Sequence, residues 1–211
     1  LFDSGAETRS GIVSRRLILA SANPAKLREI STMLEGSSWE VVPQHALGVD
    51  PVAEPHSTFV ENALVKARHA AACSGSPALA DDSGLCVESL GGAPGVWSSR
   101  FAGEPANDQS NNTELLRRLS GVTQRRAHYT CVLVAIRSAE DAEPIIVDAQ
   151  WHGEVALDVR GLGGFGYDPL FYIPSLGLTA AELEPAHKNS ISHRGLALRA
   201  LAARLADLAR R

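Results

Sequence analysis

The stretch RLILASANPAK, residues 16–26, places an apolar run directly before a set of helix-start signals. Residues 16–20 have the short apolar pattern of a buried strand. Asn23 is a favourable N-cap and Pro24 a favourable first helical residue, while Leu27 and Ile30 recur on one helical face. The segment therefore predicts a strand that leads directly into a helix, which is the basic unit of an α/β fold.

Further strand and helix signals follow along the chain. Short strands are predicted over residues 39–42 and 77–80, and Thr58 and Glu61 have the capping-box spacing that opens a helix. The later elements are a helix over residues 112–119, an antiparallel hairpin over 127–137 and 145–158, a strand over 170–173 and an amphipathic helix near the C-terminus. We therefore predict one α/β domain over residues 15–211, with a mixed sheet flanked by helices. Residues 1–14 are expected to form a poorly ordered N-terminal extension.

The composition limits the class of protein. Hydrophobic residues make up 45% of the chain and charged residues 21%, as in an ordinary globular protein. The formal net charge of −4 argues against a stable nucleic-acid partner, because duplex binding normally needs a basic face. No membrane-spanning run is present in the sequence. The three cysteines are too few for a disulfide framework, so we expect buried, reduced thiols in a cytoplasmic protein.

The residues between the first strand and the first helix form a candidate anion site. Free backbone N–H groups and the positive end of the helix dipole meet at such a junction. Ser21 and Asn23 add side-chain donors, and Lys26 lies close enough to bring an ammonium group to the same point. A plain N-cap with a solvent-exposed lysine explains these residues equally well.

A pair of adjacent carboxylates is a candidate metal site. Asp81 and Asp82 follow a predicted strand and precede Ser83, so hard oxygen ligands suited to Mg²⁺ are expected at the end of that strand. Glu54, in the loop before the next helix, is a further candidate ligand, and Lys66 is a candidate cation on that helix. The alternative is an ordinary polar turn with solvated neighbours.

The glycine-rich stretch of residues 160–169 contains a G-x-G-x-x-G match, but Pro169 and the following strand pattern exclude a dinucleotide-binding helix. We interpret it as a loop that presents Phe165 for stacking on a planar base, with Tyr167 and Asp168 at its rim. An aromatic corner in the core is the alternative. Residues 188–195, just before the terminal helix, offer further cations for phosphate or base oxygens.

Seven segments together carry a resemblance. From about Leu17 to the C-terminus the chain contains, in this order, the segments SANPAKLREI, TFVENALVKA, ADDSGL, GGAPGVWSSRFAG, GFGYDPLF, TAAEL and SHRG. This combination resembles the inosine/xanthosine triphosphate pyrophosphatase family, which acts on non-canonical purine nucleotides. The resemblance implies an elongated, two-lobed α/β domain with a central mixed sheet, a nucleotide cleft between the lobes, Mg²⁺ dependence and a homodimer.

The resemblance also implies residue roles. Water would attack the α-phosphorus of ITP, dITP or XTP beside Mg²⁺, with Asp82 as proton acceptor and metal ligand, and pyrophosphate would leave. Glu54 and Asp81 would complete the metal site, although Pro55, His56 and Ser57 depart from the family pattern after the glutamate. The implied substrate-binding residues are Ser21, Ala22, Asn23, Pro24, Ala25, Lys26, Lys66 and Ser83 for the phosphates, and Phe165, Gly166, Tyr167, Asp168, Lys188, His193 and Arg194 for the nucleoside.

Two other functions stay open at this point. A related pyrophosphatase group acts on modified pyrimidine nucleotides, but it favours Ser-Pro-Arg-Arg where this chain has Asn23-Pro24-Ala25-Lys26. A non-catalytic nucleotide-binding regulator would keep the phosphate loop without needing Asp82, Glu54 and Lys66 together. Release of pyrophosphate from ITP distinguishes the regulator from the enzyme.

Overall fold

The computed structural model describes residues 15–208, which form a seven-stranded sheet with helices on both faces. The strands are β1 (Arg15–Ala20), β2 (Trp39–Pro43), β3 (Ala78–Val87), β4 (Arg126–Ile136), β5 (Ile145–Val155), β6 (Phe171–Ile173) and β7 (Leu178–Thr179). The helices are α1 (Pro24–Leu34), α2 (Phe59–Ser74), α3 (Asp108–Arg118), α4 (Pro185–Ile191) and α5 (His193–Leu208). The N-terminal extension predicted over residues 1–14 lies outside the described residues.

The sheet is mixed, with strand order β2-β1-β3-β4-β5-β6-β7. β1 pairs in parallel with β2 and β3, whereas the pairs from β3 to β7 are antiparallel. β4 and β5 form the long hairpin that the sequence predicted. The predicted α/β class with a mixed sheet flanked by helices is confirmed.

Alternate residues of the central strands bury against different helices. Leu17, Leu79 and Leu133 pack with the leucines of α5 on one face. On the other face, small residues such as Ala80 meet the alanine-rich side of α2. Because side chains of a strand alternate between the two faces of the sheet, neighbouring residues of β3 face different helices. This alternation separates the adjacent carboxylates of the candidate site.

β3 differs from its prediction in a way that affects this site. The strand was predicted to stop at Ala80 with Asp81 and Asp82 at its end, but it continues to Val87. Asp81 and Asp82 pair in register with Leu133 and Val132 of β4. The turn-like sequence is overridden because the ladder with β4 satisfies the backbone groups and ion pairs satisfy the carboxylates. The acidic pair therefore lies inside a continuous strand.

Three other boundaries also differ. α3 begins at Asp108, before the predicted start, because Asn107 accepts a hydrogen bond from the Ser110 N–H at 2.9 Å and caps the helix. β5 ends at Val155 rather than at residue 158. The segment of residues 188–195, predicted to precede the terminal helix, lies within α4 and the first turn of α5.

The structure also bears on two expectations from composition, namely buried cysteine thiols and the lack of a membrane-spanning run. Cys131 is buried, but Cys86 is half-buried and Cys73 is exposed, so the prediction of buried thiols was wrong for Cys73. Among residues 15–208, no helix is long and apolar enough to cross a membrane.

The turn of the β4–β5 hairpin provides a test of stability away from the cleft. Asp141 accepts hydrogen bonds from the Arg137 backbone N–H and guanidinium and from the Glu143 N–H. Burial opposes ionisation of the Asp141 carboxyl, but these hydrogen bonds outweigh it and lower its pKa to about 2 from an ordinary value of 3.8. The ionised carboxylate therefore stabilises the folded state above about pH 4, and this contribution is lost as the pH falls toward 2.

We expect Asp141→Asn to lower the free energy of unfolding by about 1 kcal/mol at pH 7, after allowance for solvent screening of the exposed side of the pair. The difference from wild type should shrink by about half at pH 3. Urea unfolding of both proteins at the two pH values measures it. A difference that stays constant with pH would contradict a carboxylate-specific role.

Candidate active site

One cleft collects most of the predicted site residues. It encloses about 250 Å³ and is lined by the β1–α1 loop, α2, β3, the glycine-rich loop and the α4–α5 junction. The predicted residues that line it are Ser21, Ala22, Asn23, Lys26, Glu54, Lys66, Asp82, Ser83, Phe165, Gly166, Tyr167, Asp168, Lys188, His193 and Arg194. Pro24, Ala25 and Asp81 do not line it.

The β1–α1 loop is built around Asn23. Its side-chain oxygen accepts hydrogen bonds from the Ala25 and Lys26 N–H groups at 2.9 and 3.2 Å, and the Asn23 N–H donates to the Ser21 hydroxyl at 3.2 Å. Asn23 is therefore an N-cap, but the alternative of a solvent-exposed lysine was wrong, because the Lys26 side chain is only 15% exposed and pairs with Asp81. The Asn23 side chain already accepts hydrogen bonds from the Ala25 and Lys26 N–H groups. The loop therefore offers a bound anion mainly the positive end of the α1 dipole and the loop side chains.

Asp81 is part of a buried ion network behind the cleft. Its carboxylate lies 2.9 Å from the Lys26 ammonium and 3.4 Å from the Arg194 guanidinium, and its side chain is 0% exposed. Burial alone would raise the pKa of the Asp81 carboxyl, but Lys26 and Arg194 hold it well below its usual range. Asp81 is therefore a permanent anion that fixes two cations of the site.

Asp82 faces the opposite side of the sheet, toward α2. One carboxylate oxygen lies 3.1 Å from the Lys66 ammonium, which lies equally close to Glu54. Burial raises the pKa of the Asp82 carboxyl, and the nearby Glu54 and Asp81 carboxylates add to this effect against the opposing influence of Lys66. The two neighbouring aspartates therefore have pKa shifts of opposite sign.

Lys66 remains a cation between these acids. Burial acts to lower the pKa of its ammonium group, but the carboxylates of Asp82, Asp81 and Glu54 outweigh it and raise the pKa. Lys66 thus links the loop that carries Glu54 to the central strand.

The cleft also fits a hard divalent cation. Asp82 Oδ2 is buried and accepts no hydrogen bond from any described residue. Within residues 15–208, no three histidine, cysteine or acidic side chains form a ready-made metal cage. Mg²⁺ commonly binds through one or two carboxylates and retains several waters. Asp82 and Glu54 can supply such ligands, whereas Asp81 is occupied by Lys26 and Arg194.

The opposite wall of the cleft carries aromatic and basic side chains. Phe165 is half-buried, with the Lys188 ammonium 4.8 Å and the Arg194 guanidinium carbon 5.6 Å from its ring centroid. The Lys188 ammonium also lies 2.6 Å from Asp168, and Arg194 donates to the Ser83 hydroxyl at 2.9 Å. The cations of this wall are thus held in place by acids and by the Phe165 ring.

His193 lies deep in the same wall. Its ring stacks on Tyr129, with centroids 4.5 Å apart and an interplanar angle of 10°. Burial, together with the charges of Arg194 and Lys188, lowers the pKa of His193 well below its ordinary value. Its Nδ1 is buried and has no partner among the described residues. His193 is therefore a neutral ring with one unused polar atom beside the cleft.

Sequence reasoning missed several residues that shape this wall. Glu29 forms ion pairs with both Lys188 and Arg194 from α1. Its spacing from Lys26, on the same helix, was the available signal. Tyr129 and Asp108 also line the cleft, but Tyr129 was predicted only as part of the hairpin and Asp108 belonged to no predicted element. Phe171 is fully buried against Tyr129 and Trp151 and forms part of the core behind this wall.

The fold and the cleft together define a class of protein. A mixed α/β sheet that places buried carboxylates and lysines opposite an aromatic, basic wall is typical of an enzyme that acts on a phosphorylated substrate with a planar base. The comparisons with known proteins narrow this class to one family.

The sequence model of the Ham1 family matches residues 17–204. The chain is 56% identical over 193 residues to the dITP/XTP pyrophosphatase of Aromatoleum aromaticum, covering 92% of this chain and 98% of that relative. It is similar to the solved HAM1 protein of Coxiella burnetii (46% identity, TM-score 0.86, 92% and 99% coverage) and to the Ham1 protein of Staphylococcus aureus (36% identity, TM-score 0.82, 92% and 99% coverage). The chain belongs to the Ham1 family.

Proposed function

We propose that this protein hydrolyses the non-canonical purine nucleoside triphosphates dITP, ITP and XTP to the monophosphate and pyrophosphate, keeping deaminated purines out of DNA and RNA. The observation that carries the proposal is one cleft in which Asp82, Lys66 and Glu54 face the aromatic, basic wall around Phe165. Membership of the Ham1 family and the name of the Aromatoleum relative support the same reaction.

Asp82 is the proposed proton acceptor for the attacking water. Burial raises the pKa of the Asp82 carboxyl, and a carboxylate with a raised pKa is a stronger base than an ordinary aspartate. The Lys66 ammonium, 3.1 Å away, fixes the position of one oxygen and leaves Oδ2 available. This arrangement supports a role for Asp82 Oδ2 in orienting and deprotonating the water.

Charge neutralisation at the phosphates comes from the same group of residues. Lys26, in the first turn of α1 where the helix dipole is positive, and Lys66, on α2, both line the cleft. Asp82 and Glu54 are the proposed ligands for Mg²⁺, with Asp81 as a supporting anion. Bound Mg²⁺ would supply positive charge that offsets the negative charge developing on the phosphate oxygens.

The purine is proposed to bind at the opposite wall, stacked on Phe165. Because the Lys188 ammonium already lies over that ring, the base must use the other ring face or displace the ammonium. Lys188, His193 and Arg194 are the proposed donors to O6 of hypoxanthine or xanthine. Adenine reverses the donor and acceptor at this edge, so ATP would leave these groups unpaired.

Hydrolysis of ITP, XTP, GTP and ATP, with and without Mg²⁺, tests the proposal. We expect pyrophosphate release from ITP and XTP to require the metal. We expect kcat/KM for ATP to be lower by about 10⁴-fold, as for sites that select by hydrogen bonds. Equal rates with all four nucleotides would contradict selectivity. Binding of ITP without any pyrophosphate release would instead indicate a regulator.

The remaining parts of the proposal concern assembly and location. We propose a homodimer in the cytoplasm, with a nucleotide as the small-molecule partner and with no stable nucleic-acid or membrane partner. The free cysteines support the cytoplasmic location, and the net negative charge supports the lack of a stable nucleic-acid partner. The homodimer is proposed from the family resemblance alone.

A further inference from the structure

The loop that carries Phe165 is closed on itself. The Phe165 N–H donates to Asp168 Oδ2 at 2.9 Å, and the Asp168 N–H donates back to the Phe165 carbonyl at 3.2 Å. The Tyr167 hydroxyl donates to the Ser98 carbonyl at 2.8 Å and ties the loop to the segment beyond β3. These bonds fix the shape of the loop and one of its attachments.

A second attachment comes from the first turns of α3. The Gly166 N–H donates to Asp108 Oδ2 at 2.6 Å, and Asn112 Nδ2 donates to the Gly166 carbonyl at 2.8 Å. Asn112 Nδ2 also donates to the backbone carbonyl of Asp108 at 2.9 Å, one turn earlier on the same helix. Both polar groups of one residue are therefore held by a helix more than fifty positions earlier in the chain.

Steric contact does not explain the position of Gly166. Its φ is +62°, and a Cβ added there would meet no atom within 4 Å. By contrast, a Cβ on Gly164 would lie 2.1 Å from Asp168 Oδ2, so that glycine is required by close contact. At Gly166 the positive φ disfavours most other residue types. The location of Gly166 itself depends on the two hydrogen bonds that α3 makes to its N–H and its carbonyl.

The contact to Gly166 is made by an acidic residue, Asp108, within the cleft proposed to bind a polyphosphate. Asp108 lines the cleft, where an anionic side chain opposes a polyphosphate substrate. A hydrogen bond from an amide to a carboxylate is stronger and shorter than one to a neutral acceptor, and 2.6 Å is a short distance for this type of bond. The acid at position 108 is therefore explained by its hydrogen bond to the loop and not by electrostatic attraction to the substrate.

We propose that Asp108 and Asn112 are positioning residues that hold the N–H and the carbonyl of Gly166 and so set the neighbouring Phe165 ring against the purine. This inference rests on the proposed function, because it needs a base stacked on Phe165. It assigns to α3 a part in nucleobase binding that acts through the loop and not through contact with the phosphates.

The test compares ligands that occupy different ends of the cleft. In Asp108→Ala we expect KM for ITP and Kd for IMP to rise about 10-fold, the usual effect of losing one hydrogen bond to a charged group. The Ki of inorganic triphosphate, which lacks a base, should change less than twofold. Asp108→Asn keeps an acceptor oxygen and should restore much of the IMP affinity. Asn112→Ala removes the other contact and should weaken IMP binding in the same selective way.

A double-variant cycle links the effect to the ring. In a Phe165→Ala background, Asp108→Ala should cause little further loss of IMP affinity, because no ring is left to position. Gln109→Ala, an exposed neighbour on α3, is the matched control and should resemble wild type. The inference would be overturned by additive losses of IMP affinity in the cycle. It would also be overturned if the variants weakened binding of IMP and triphosphate equally, or if they left IMP affinity unchanged. Failure of the proposed function would appear separately, as wild-type protein that releases no pyrophosphate from ITP.

Discussion

Asp82→Asn is expected to lower kcat for ITP by about 10³-fold, the scale of a lost general base, while ITP still binds. The amide has nearly the same shape, but it cannot accept the proton of the attacking water. It can still receive a hydrogen bond from Lys66, so the loop with Glu54 should stay in place. Pyrophosphate release under saturating ITP measures kcat, and calorimetry measures the affinity.

Asp158→Asn is the matched control, because Asp158 is exposed and lies outside the cleft. It should leave kcat within about twofold of wild type, as surface substitutions usually do. Turnover by Asp82→Asn at a near-normal rate would remove Asp82 from the role of base and would redirect attention to Glu54.

The second large effect concerns stability. Asp81→Asn should lower the free energy of unfolding by about 3 kcal/mol, because removal of one partner leaves a buried charge without compensation. Arg194 is only 3% exposed and would lose its nearest buried carboxylate, although Glu29 remains as a partner. Urea unfolding at pH 7 measures the loss.

Lys26→Met gives a graded comparison. The Lys26 side chain is 15% exposed, so its removal leaves Asp81 paired with Arg194 and should be less destabilising than Asp81→Asn. If Asp81→Asn unfolds at the same urea concentration as wild type, the network contributes specificity of structure and not stability.

The beginning of the fold could be predicted from the sequence because its signals are local. The apolar run of β1, the Asn23 cap and Pro24 all act within a few residues, and each was found where expected. The end of β3 could not be predicted in this way. Asp-Asp-Ser-Gly has turn chemistry, and only the partner strand β4, far along the chain, supplies the ladder that keeps it extended.

In the candidate site, too, residues with local sequence signals were predicted and residues that act on distant segments were not. Lys66, Asp82 and Phe165 were identified from short motifs, and the structure brings them to one cleft. Their assigned roles stay predictions that the experiments above address. Glu29 and Asp108 were missed, because each acts on a segment that is distant in sequence. Glu29 stands in the SANPAKLREI segment, but the segment does not show that it pairs with Lys188 and Arg194.

The unbroken pairing of β3 with β4 has a consequence for heat inactivation. The proposed base lies on the central part of the sheet, so its backbone cannot shift without opening the hydrogen bonds that hold the whole domain together. Loss of catalytic geometry on this wall and cooperative unfolding are then a single event and not two successive ones.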